Sequence, residues 1–170
     1  DEFASKNTSI LVHQPHHFPP ISIRTFRLVA FANLIAALIN AVNLTDKKYL
    51  VMGSDMKIMI EAHKQIRYPD AVVVCERLEY FGNRTDVIIN PLLIVEVLSD
   101  GTEKFDRGAK FDEYKSLASF QEYMLVSQRK PYVSTYHRED KDLWRIQETS
   151  GREAKVFLKS IGCTLNLKDI

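Results

Sequence analysis

The sequence has no excess of charge of either sign, no cysteine pattern and no apolar run long enough to span a membrane. Among its 170 residues, 23 Lys and Arg balance 22 Asp and Glu, so binding to a polyanion would require a local basic cluster. The two cysteines, Cys75 and Cys163, lack metal-ligand spacing, which favours reduced packing residues in a cytoplasmic protein. The longest apolar stretch, residues 26–42, is interrupted by polar residues and falls short of the roughly 20 residues that cross a bilayer. We therefore expect no membrane partner.

The sequence also shows no internal repeat, no recognisable signal peptide, and no zinc module or recognition helix that would read base edges. A chain of this length buries roughly two-thirds of its unfolded surface as one unit, so residues 1–170 are predicted to form a single domain. Residues 1–23 are predicted to be an N-terminal arm. They contain His13, His16 and His17, but the prolines among them favour a loop over a helix that would gather these histidines round a metal.

A long apolar helix is predicted over residues 24–42. Asn33 and Asn40 lie seven positions apart and form one narrow polar stripe, whereas nearly all the remaining surface of the helix is apolar. Such a helix is covered on more than one side. The sheet would cover one side, and either a second helix of the same chain or a partner subunit would cover another. A homodimer is therefore expected, with a wholly intramolecular core helix as the alternative.

Most of the remaining chain has patterns typical of β-strands. Apolar residues alternate over residues 54–60, which predicts a half-exposed strand, and a β-branched run at 70–75 follows a turn at 63–67. Residues 76–90 have no clean period and are predicted to form a surface loop. Trp144 is available to cover one face of a late hairpin. Further strands are predicted over residues 92–98, 122–126, 132–137, 143–148, 154–158 and 162–167.

Glu96 lies inside a strand that otherwise contains only apolar residues. Residues 92–98 are of the kind found in the middle of a covered sheet, where a carboxylate costs several kcal/mol unless it is compensated. Asp70 has a similar position, at the start of the β-branched run after Pro69. Taken singly, Asp70 is explained as a turn residue, and Glu96 as a buried ion-pair partner or a protonated acid. Together, two strands that each deliver a carboxylate could bind a hard divalent cation through oxygen ligands.

A second helix is predicted over residues 102–117, with its first residue as the N-cap. One face of this helix is formed by residues three or four positions apart, namely Asp106, Lys110, Tyr114 and Leu117. If the last two of these pack on the sheet, Lys110 points inward and its ammonium meets Glu96. The alternative is an exposed Asp106–Lys110 pair worth a few tenths of a kcal/mol.

Several short motifs occur in an order and at spacings that resemble one known family. They are Pro69-Asp70, residues 93–99, Asp106-Arg-Gly-x-Lys110 followed by Tyr114, and residues 121–126. These motifs resemble those of the Uma family of endonucleases, a branch of the restriction-endonuclease-like, or PD-(D/E)XK, superfamily. The resemblance covers about residues 33–170. It implies an α/β (α+β) fold with a mixed central β-sheet, flanking helices and additional C-terminal antiparallel strands.

The resemblance also implies an activity, a cofactor and a site. The activity would be hydrolysis of phosphodiester bonds in DNA by an endonuclease that depends on Mg²⁺ or Mn²⁺. Asp70 and Glu96 match the metal ligands, and the carbonyl of Val97 is a candidate third ligand. Leu98 stands where the superfamily has a lysine two residues after the acid, and Lys110 matches the lysine that this family takes from the next helix. The implied catalytic residues are Asp70, Glu96 and Lys110.

Two features of the sequence bear on DNA as the partner. Three basic residues of the second helix could contact phosphates, although a solvated basic face is an equal alternative; they are Lys104, Arg107 and Lys115. Family members also carry an acid next to Gly, and then a His at the start of the apolar helix. Residues 1–32 lack this pattern, and Arg27 stands at the position of the His. A catalytically inactive nucleic-acid-binding or dimeric scaffold of the same fold is therefore the alternative function.

Overall fold

The structure is a computed structural model that describes the backbone of residues 23–170 and the side chains of residues 29–170. The predicted N-terminal arm with its three histidines therefore lies outside the described residues, as does the side chain of Arg27. The elements of the described part are α1 (Ile23–Val42), β1 (Tyr49–Gly53), β2 (Lys57–Ile60), β3 (Gln65–Arg67), β4 (Ala71–Cys75), β5 (Val87–Ile88), β6 (Leu93–Leu98), α2 (Glu103–Arg107), α3 (Ala109–Tyr114), β7 (Glu122–Ser127), β8 (Tyr132–Arg138), β9 (Trp144–Ser150), β10 (Lys155–Leu158) and β11 (Cys163–Asn166).

A six-stranded mixed sheet organises the fold, with the strand order β1-β4-β6-β7-β8-β9. The central strands β6 and β7 are parallel, and every other pair in this sheet is antiparallel. Because parallel neighbours need a crossover connection, α2 and α3 pass over one face of the sheet between them. A smaller sheet has the order β3-β2-β5, and β10 and β11 form a separate C-terminal hairpin. This architecture confirms the predicted mixed sheet with flanking helices and extra C-terminal antiparallel strands.

The side chains of β6 alternate between two cores. Leu93, Val95 and Val97 belong to the core on the α1 side, which the C-terminal hairpin also joins. Ile94 belongs to the core on the α3 side. All six residues of β6 are buried, as expected for a strand covered on both faces. Because alternate residues share a face, Glu96 falls on the α3 side of the sheet.

Aromatic rings fix α3 against the sheet. Phe111 of α3 stacks on Tyr123 of β7 at a centroid distance of 5.5 Å and meets Trp144 of β9 edge-on at 5.0 Å. Tyr114 is fully buried, 5.8 Å from Tyr123. Stacked and edge-to-face pairs of this kind stabilise a core beyond their buried area. Trp144 therefore covers one face of the β8–β9 hairpin, as predicted.

The prediction of one continuous helix over residues 102–117 is wrong, because α2 and α3 are separated at Gly108. A Cβ on Gly108 would lie 3.2 Å from the carbonyl oxygen of Lys104, so the turn between the helices leaves no ordinary room for a side chain. Thr102 stands at the N-cap of α2 but makes no side-chain capping hydrogen bond. Its hydroxyl instead lies 2.9 Å from that of Ser99.

Two segments predicted as irregular contain strands. The turn predicted at residues 63–67 overlaps β3, which pairs with β2. The loop predicted at 76–90 contains β5, whose Val87 and Ile88 are fully buried and run parallel to β2. Strands this short show no period in the sequence, and their pairing comes from tertiary contact.

The described side chains of α1, those of residues 29–42, are buried on one side of the helix. Leu34 and Leu38 point into the core, whereas Val29, Asn33 and Ile39 are exposed. Within residues 29–170 the outer side of α1 is uncovered, and coverage by a partner subunit and coverage by the rest of the chain both stay predictions. No helix among the described residues is both long and apolar enough to cross a membrane. Both cysteines are free thiols, as predicted.

Candidate active site

Asp70 directly precedes β4 and lies beside β6. The two strands pair with Ala71 opposite Val95, so continuing the register by one residue puts Asp70 opposite Glu96. Oδ2 of Asp70 accepts a hydrogen bond of 2.7 Å from the backbone N–H of Val97. The two acids predicted from separate strands are therefore neighbours at the point where β4 begins.

Lys110 reaches Glu96 from α3. Its Nζ lies 2.6 Å from Oε1 of Glu96, and the hydroxyl of Tyr114 donates a 3.2 Å hydrogen bond to the same oxygen. Only 3% of Glu96 is exposed. Val72 on β4 faces the α3 side, so the alternation that places Glu96 there gives Asp70 the same face. The predicted contact between Lys110 and Glu96 is confirmed, and it forms on the face that carries both acids.

Burial is the main influence on the ionisation of Glu96. It raises the pKa of Glu96 to about 7, and the nearby charges of Asp70 and Asp106 push it in the same direction. The Lys110 ammonium opposes them by its charge and by its hydrogen bond. The same setting raises the pKa of Tyr114 well above its usual value, because the phenol is buried and faces Glu96. The Tyr114 hydroxyl therefore stays protonated and serves as a hydrogen-bond donor.

Asp106 is a third buried acid in this group of side chains. Its Oδ1 lies 3.3 Å from Nζ of Lys110, so the ammonium stands between two buried carboxylates. The backbone carbonyl of Asp106 accepts a 3.1 Å hydrogen bond from the Tyr123 hydroxyl, which fixes α2 to β7. The predicted alternative of an exposed Asp106–Lys110 pair is wrong, because both residues are buried. The spacing of four residues indicated the contact, and only the packing revealed that Asp106 is part of the site.

The donor atoms at this place suit a hard divalent cation. Continuing the β4–β6 register puts Pro69 opposite Val97, and a proline has no N–H to donate to the Val97 carbonyl. That carbonyl and the carboxylates of Asp70 and Glu96 are oxygen ligands of the type that Mg²⁺ and Mn²⁺ prefer. Among the described residues, no three His, Cys, Asp or Glu side chains are grouped as metal ligands. A set of one or two carboxylates completed by waters and substrate phosphate is typical of Mg²⁺.

Arg67, which the sequence did not single out, ties β3 to both crossover helices. Its Nε and Nη2 donate to the two carboxylate oxygens of Glu113 at 2.5 and 2.6 Å. Its guanidinium also lies 5.3 Å from the centroid of the Phe105 ring. The hydrogen bond to Glu113 raises the pKa of Arg67 and lowers that of Glu113, against the opposing effect of burial. A separation of 46 residues left no local pattern that could have predicted this pair.

The three basic residues predicted to contact nucleic acid have different surroundings. Lys104 is exposed on α2. Arg107 bonds Glu103 at 2.8 Å and lines a cavity of about 650 Å³ at the ends of β6 and β7, together with Lys130. Lys115 pairs with an aspartate of its own helix at 2.6 Å. Two of the three residues therefore pair with acids of the chain, and their contact with nucleic acid stays a prediction.

Known proteins resemble this chain in sequence and in fold. Two are from Synechocystis sp. (strain ATCC 27184 / PCC 6803 / Kazusa): uncharacterized protein sll1609 is 32% identical over 111 residues, and uncharacterized protein slr1290 is 38% identical over 110. Each match covers 65% of this chain, and 63% and 56% of the respective relative. The chain thus spans about six-tenths of the length of these curated relatives.

A crystal structure from Anabaena variabilis ATCC 29413, described as "a putative nuclease belonging to DUF820", matches with a TM-score of 0.67 at 14% identity. The match covers 85% of this chain and 79% of that one, which shows a shared fold. The sequence model of the Uma2 family, described as "Putative restriction endonuclease", matches residues 24–167. The resemblance seen in the motifs is thereby confirmed, and the protein belongs to the Uma2 family, within the restriction-endonuclease-like superfamily.

Proposed function

We propose that this protein is an endonuclease that hydrolyses phosphodiester bonds in DNA with the help of Mg²⁺ or Mn²⁺. The observation that carries the proposal is the meeting of three side chains on one face of the sheet. Asp70 and Glu96 come from neighbouring strands, and Nζ of Lys110 lies 2.6 Å from Glu96. Membership of the family described as "Putative restriction endonuclease" supports the same activity.

Each residue has a role that follows from its chemistry. Asp70, Glu96 and the Val97 carbonyl would hold the cation through oxygen atoms. When bound, such an ion polarises the scissile phosphate and lowers the pKa of an attacking water. Lys110 would offset the negative charge that builds on the phosphate oxygens in the transition state. Asp106 and Tyr114 would position Lys110 and Glu96 for this work, because each bonds one of them directly.

One observation favours the alternative of a catalytically inactive nucleic-acid-binding or dimeric scaffold. Glu96, Lys110 and Asp106 are buried, and the Lys110 ammonium pairs with both carboxylates. A closed network of that kind also serves to fix helices to a sheet. The proposed homodimer, with α1 as its interface, and a cytoplasmic location belong to either function.

A plasmid-nicking assay tests the nuclease. With Mn²⁺, we expect the wild-type protein to relax supercoiled DNA, and Asp70→Ala to lose at least about 100-fold in rate, because a metal ligand and its charge are removed. The matched control is Asp46→Ala, an exposed acid in the turn after α1, which should nick like the wild type. Nicking by Asp70→Ala at the wild-type rate would contradict the proposal. DNA binding without nicking in any protein would support the scaffold.

A further inference from the structure

Two large aromatic side chains stand exposed beside the candidate active site. Tyr68 is 60% exposed and lies two residues before Asp70, and Phe105 is 42% exposed and directly precedes Asp106. Arg67 links them, because it is the sequence neighbour of Tyr68 and its guanidinium lies 5.3 Å from the centroid of the Phe105 ring. We call Tyr68 and Phe105 the aromatic rim. Each ring is exposed within two residues, along the chain, of an acid of the candidate site, and this placement suggests a binding role.

Positive charge accompanies each ring of the aromatic rim. Nζ of Lys57 lies 5.7 Å from the Tyr68 centroid, and Arg67 stands over Phe105. Lys104, next to Phe105 in α2, is exposed. Lys57 is also paired with Asp86 at 2.5 Å, and Arg67 with Glu113 at 2.5 Å. On a surface that binds a single nucleic acid strand, rings contact bases and cations follow phosphates, and the exposed Lys104 would serve as such a cation here.

We propose that the aromatic rim stacks on unpaired bases, so that the preferred substrate of the site is single-stranded DNA or an unpaired segment within duplex DNA. This inference rests on the proposed nuclease function for the chemistry, and on the rim alone for the choice of strand. Bases inside a duplex are stacked on their neighbours and offer no free face to a ring, whereas an unpaired base does. Stacking is tolerant of sequence, because every base has a π-face, so the selection is for unpaired structure.

Binding measured without metal tests the rim separately from catalysis. Fluorescence anisotropy in EDTA would compare a labelled mixed-sequence strand of about 20 nucleotides with the same strand in a blunt duplex. We expect the wild type to bind the single strand more tightly. Tyr68→Ala and Phe105→Ala should each weaken single-strand binding at least about fivefold and leave duplex binding nearly unchanged, whereas Tyr68→Phe should keep the wild-type affinity.

Phe157→Ala is the matched control. Phe157 is 54% exposed, between the two rim residues in exposure, but it belongs to the C-terminal hairpin on the α1 side of the sheet. This variant should bind both DNAs like the wild type. Loss of single-strand binding in all three alanine variants, or in none of them, overturns the inference, as does tighter binding of the duplex by the wild type.

The failure of the inference and of the nuclease proposal are distinguishable. Asp70-dependent nicking of plasmid, combined with unchanged single-strand binding in the rim variants, would refute the rim and retain the nuclease. Loss of single-strand binding in the rim variants, with no cleavage of any DNA by the wild type, would retain base stacking and refute the nuclease. Cleavage of the single strand faster than of the duplex, reduced in Tyr68→Ala, supports both.

Discussion

Glu96 is the central residue of the candidate site, where it contacts both Lys110 and Tyr114. It is a carboxyl group in the fourth position of a strand buried on both faces, and the Lys110 ammonium does not fully compensate the cost of removing it from water. Its pKa is raised to about 7, so a cation at the proposed metal site would compete with a proton near neutral pH. Acids whose pKa is perturbed by burial and by neighbouring charges are frequent at functional sites.

This raised pKa predicts a pH-dependent stability. In EDTA, the free energy of unfolding should fall as the pH rises from about 4.5 to about 7, because folded Glu96 retains a proton that the unfolded carboxyl releases. The contribution is up to about 3 kcal/mol, and it is fully present below the lower pKa and lost above the higher one. Urea denaturation of the wild type and of Glu96→Gln across this range measures it. The stability of the variant relative to the wild type should rise with pH, and parallel curves would contradict the assignment.

The position of Lys110 shows how a lysine on a helix, outside the strand, can still reach the acid Glu96. The superfamily position two residues after the acid is Leu98, which packs in the α3-side core. An ammonium placed on α3 instead reaches Glu96 at 2.6 Å and is held from its other side by Asp106 at 3.3 Å. The long side chain of lysine makes this exchange possible, because it spans the gap between helix and sheet.

At the scale of elements, the connection between β6 and β7 consists of two short helices with a break between them, and each helix contributes different residues to the site. α2 brings Asp106 and Phe105 to the site, and α3 brings Lys110 and Tyr114. The break at Gly108 separates these two short helices, and Phe111 and Tyr123 lock the second helix to the sheet by stacking. Neither helix is long enough to be stable alone, so tertiary packing holds both.

A substitution at the break tests this account. Gly108→Ala should lower the free energy of unfolding by about 1 kcal/mol, because the new Cβ would lie 3.2 Å from the Lys104 carbonyl oxygen. The matched control is Gly101→Ala in the preceding turn, where a Cβ meets nothing within 4 Å. That variant should be neutral or stabilised by up to about 1 kcal/mol. Fluorescence of Trp144, the single tryptophan of the chain, reports both in urea denaturation, and equal midpoints would refute the account.

At the scale of the whole molecule, the two faces of the central sheet carry different kinds of residue. The α3 side carries Glu96, Lys110 and Asp106, whereas the α1 side carries an aliphatic core. α1 leaves Val29 and Ile39 exposed on its outer side. With a formal net charge of +1, the molecule as a whole has no strong electrostatic field, so the proposed binding of DNA would depend on the local arrangement of charge at the site.

The outer side of α1 predicts the oligomeric state. We expect the wild-type chain to form a homodimer through this helix, and Ile39→Glu to be monomeric, because a charge would be buried unpaired at the interface. The control is Leu143→Glu, an exposed leucine near the β8–β9 turn, which should remain dimeric. Sedimentation equilibrium distinguishes these states. A monomeric wild type at high concentration would make the predicted homodimer wrong.

Local patterns in the sequence predicted many of the strands and the inward face of the second helix. The continuous apolar run in residues 92–98 predicted a strand with Glu96 among buried neighbours, and the period of the second helix put Asp106, Lys110 and Tyr114 on one face. Both predictions concern which side of an element a residue occupies, and that information lies within a few consecutive residues. The family motifs, which are also local, predicted the fold that the structural comparison confirmed.

The sequence by itself determined the apolar helix, the principal strands of the sheet and the position of Glu96 inside a buried strand. Only the tertiary structure decided the break at Gly108 and the pairing of β3 and β5 with β2. It also decided the ion pair in which Arg67 donates two hydrogen bonds to Glu113. It also decided that the Asp106–Lys110 pair is buried. The reason is physical: side-chain periodicity is set by backbone geometry over a single turn or pleat, whereas burial and long-range pairing depend on which elements pack together after they form.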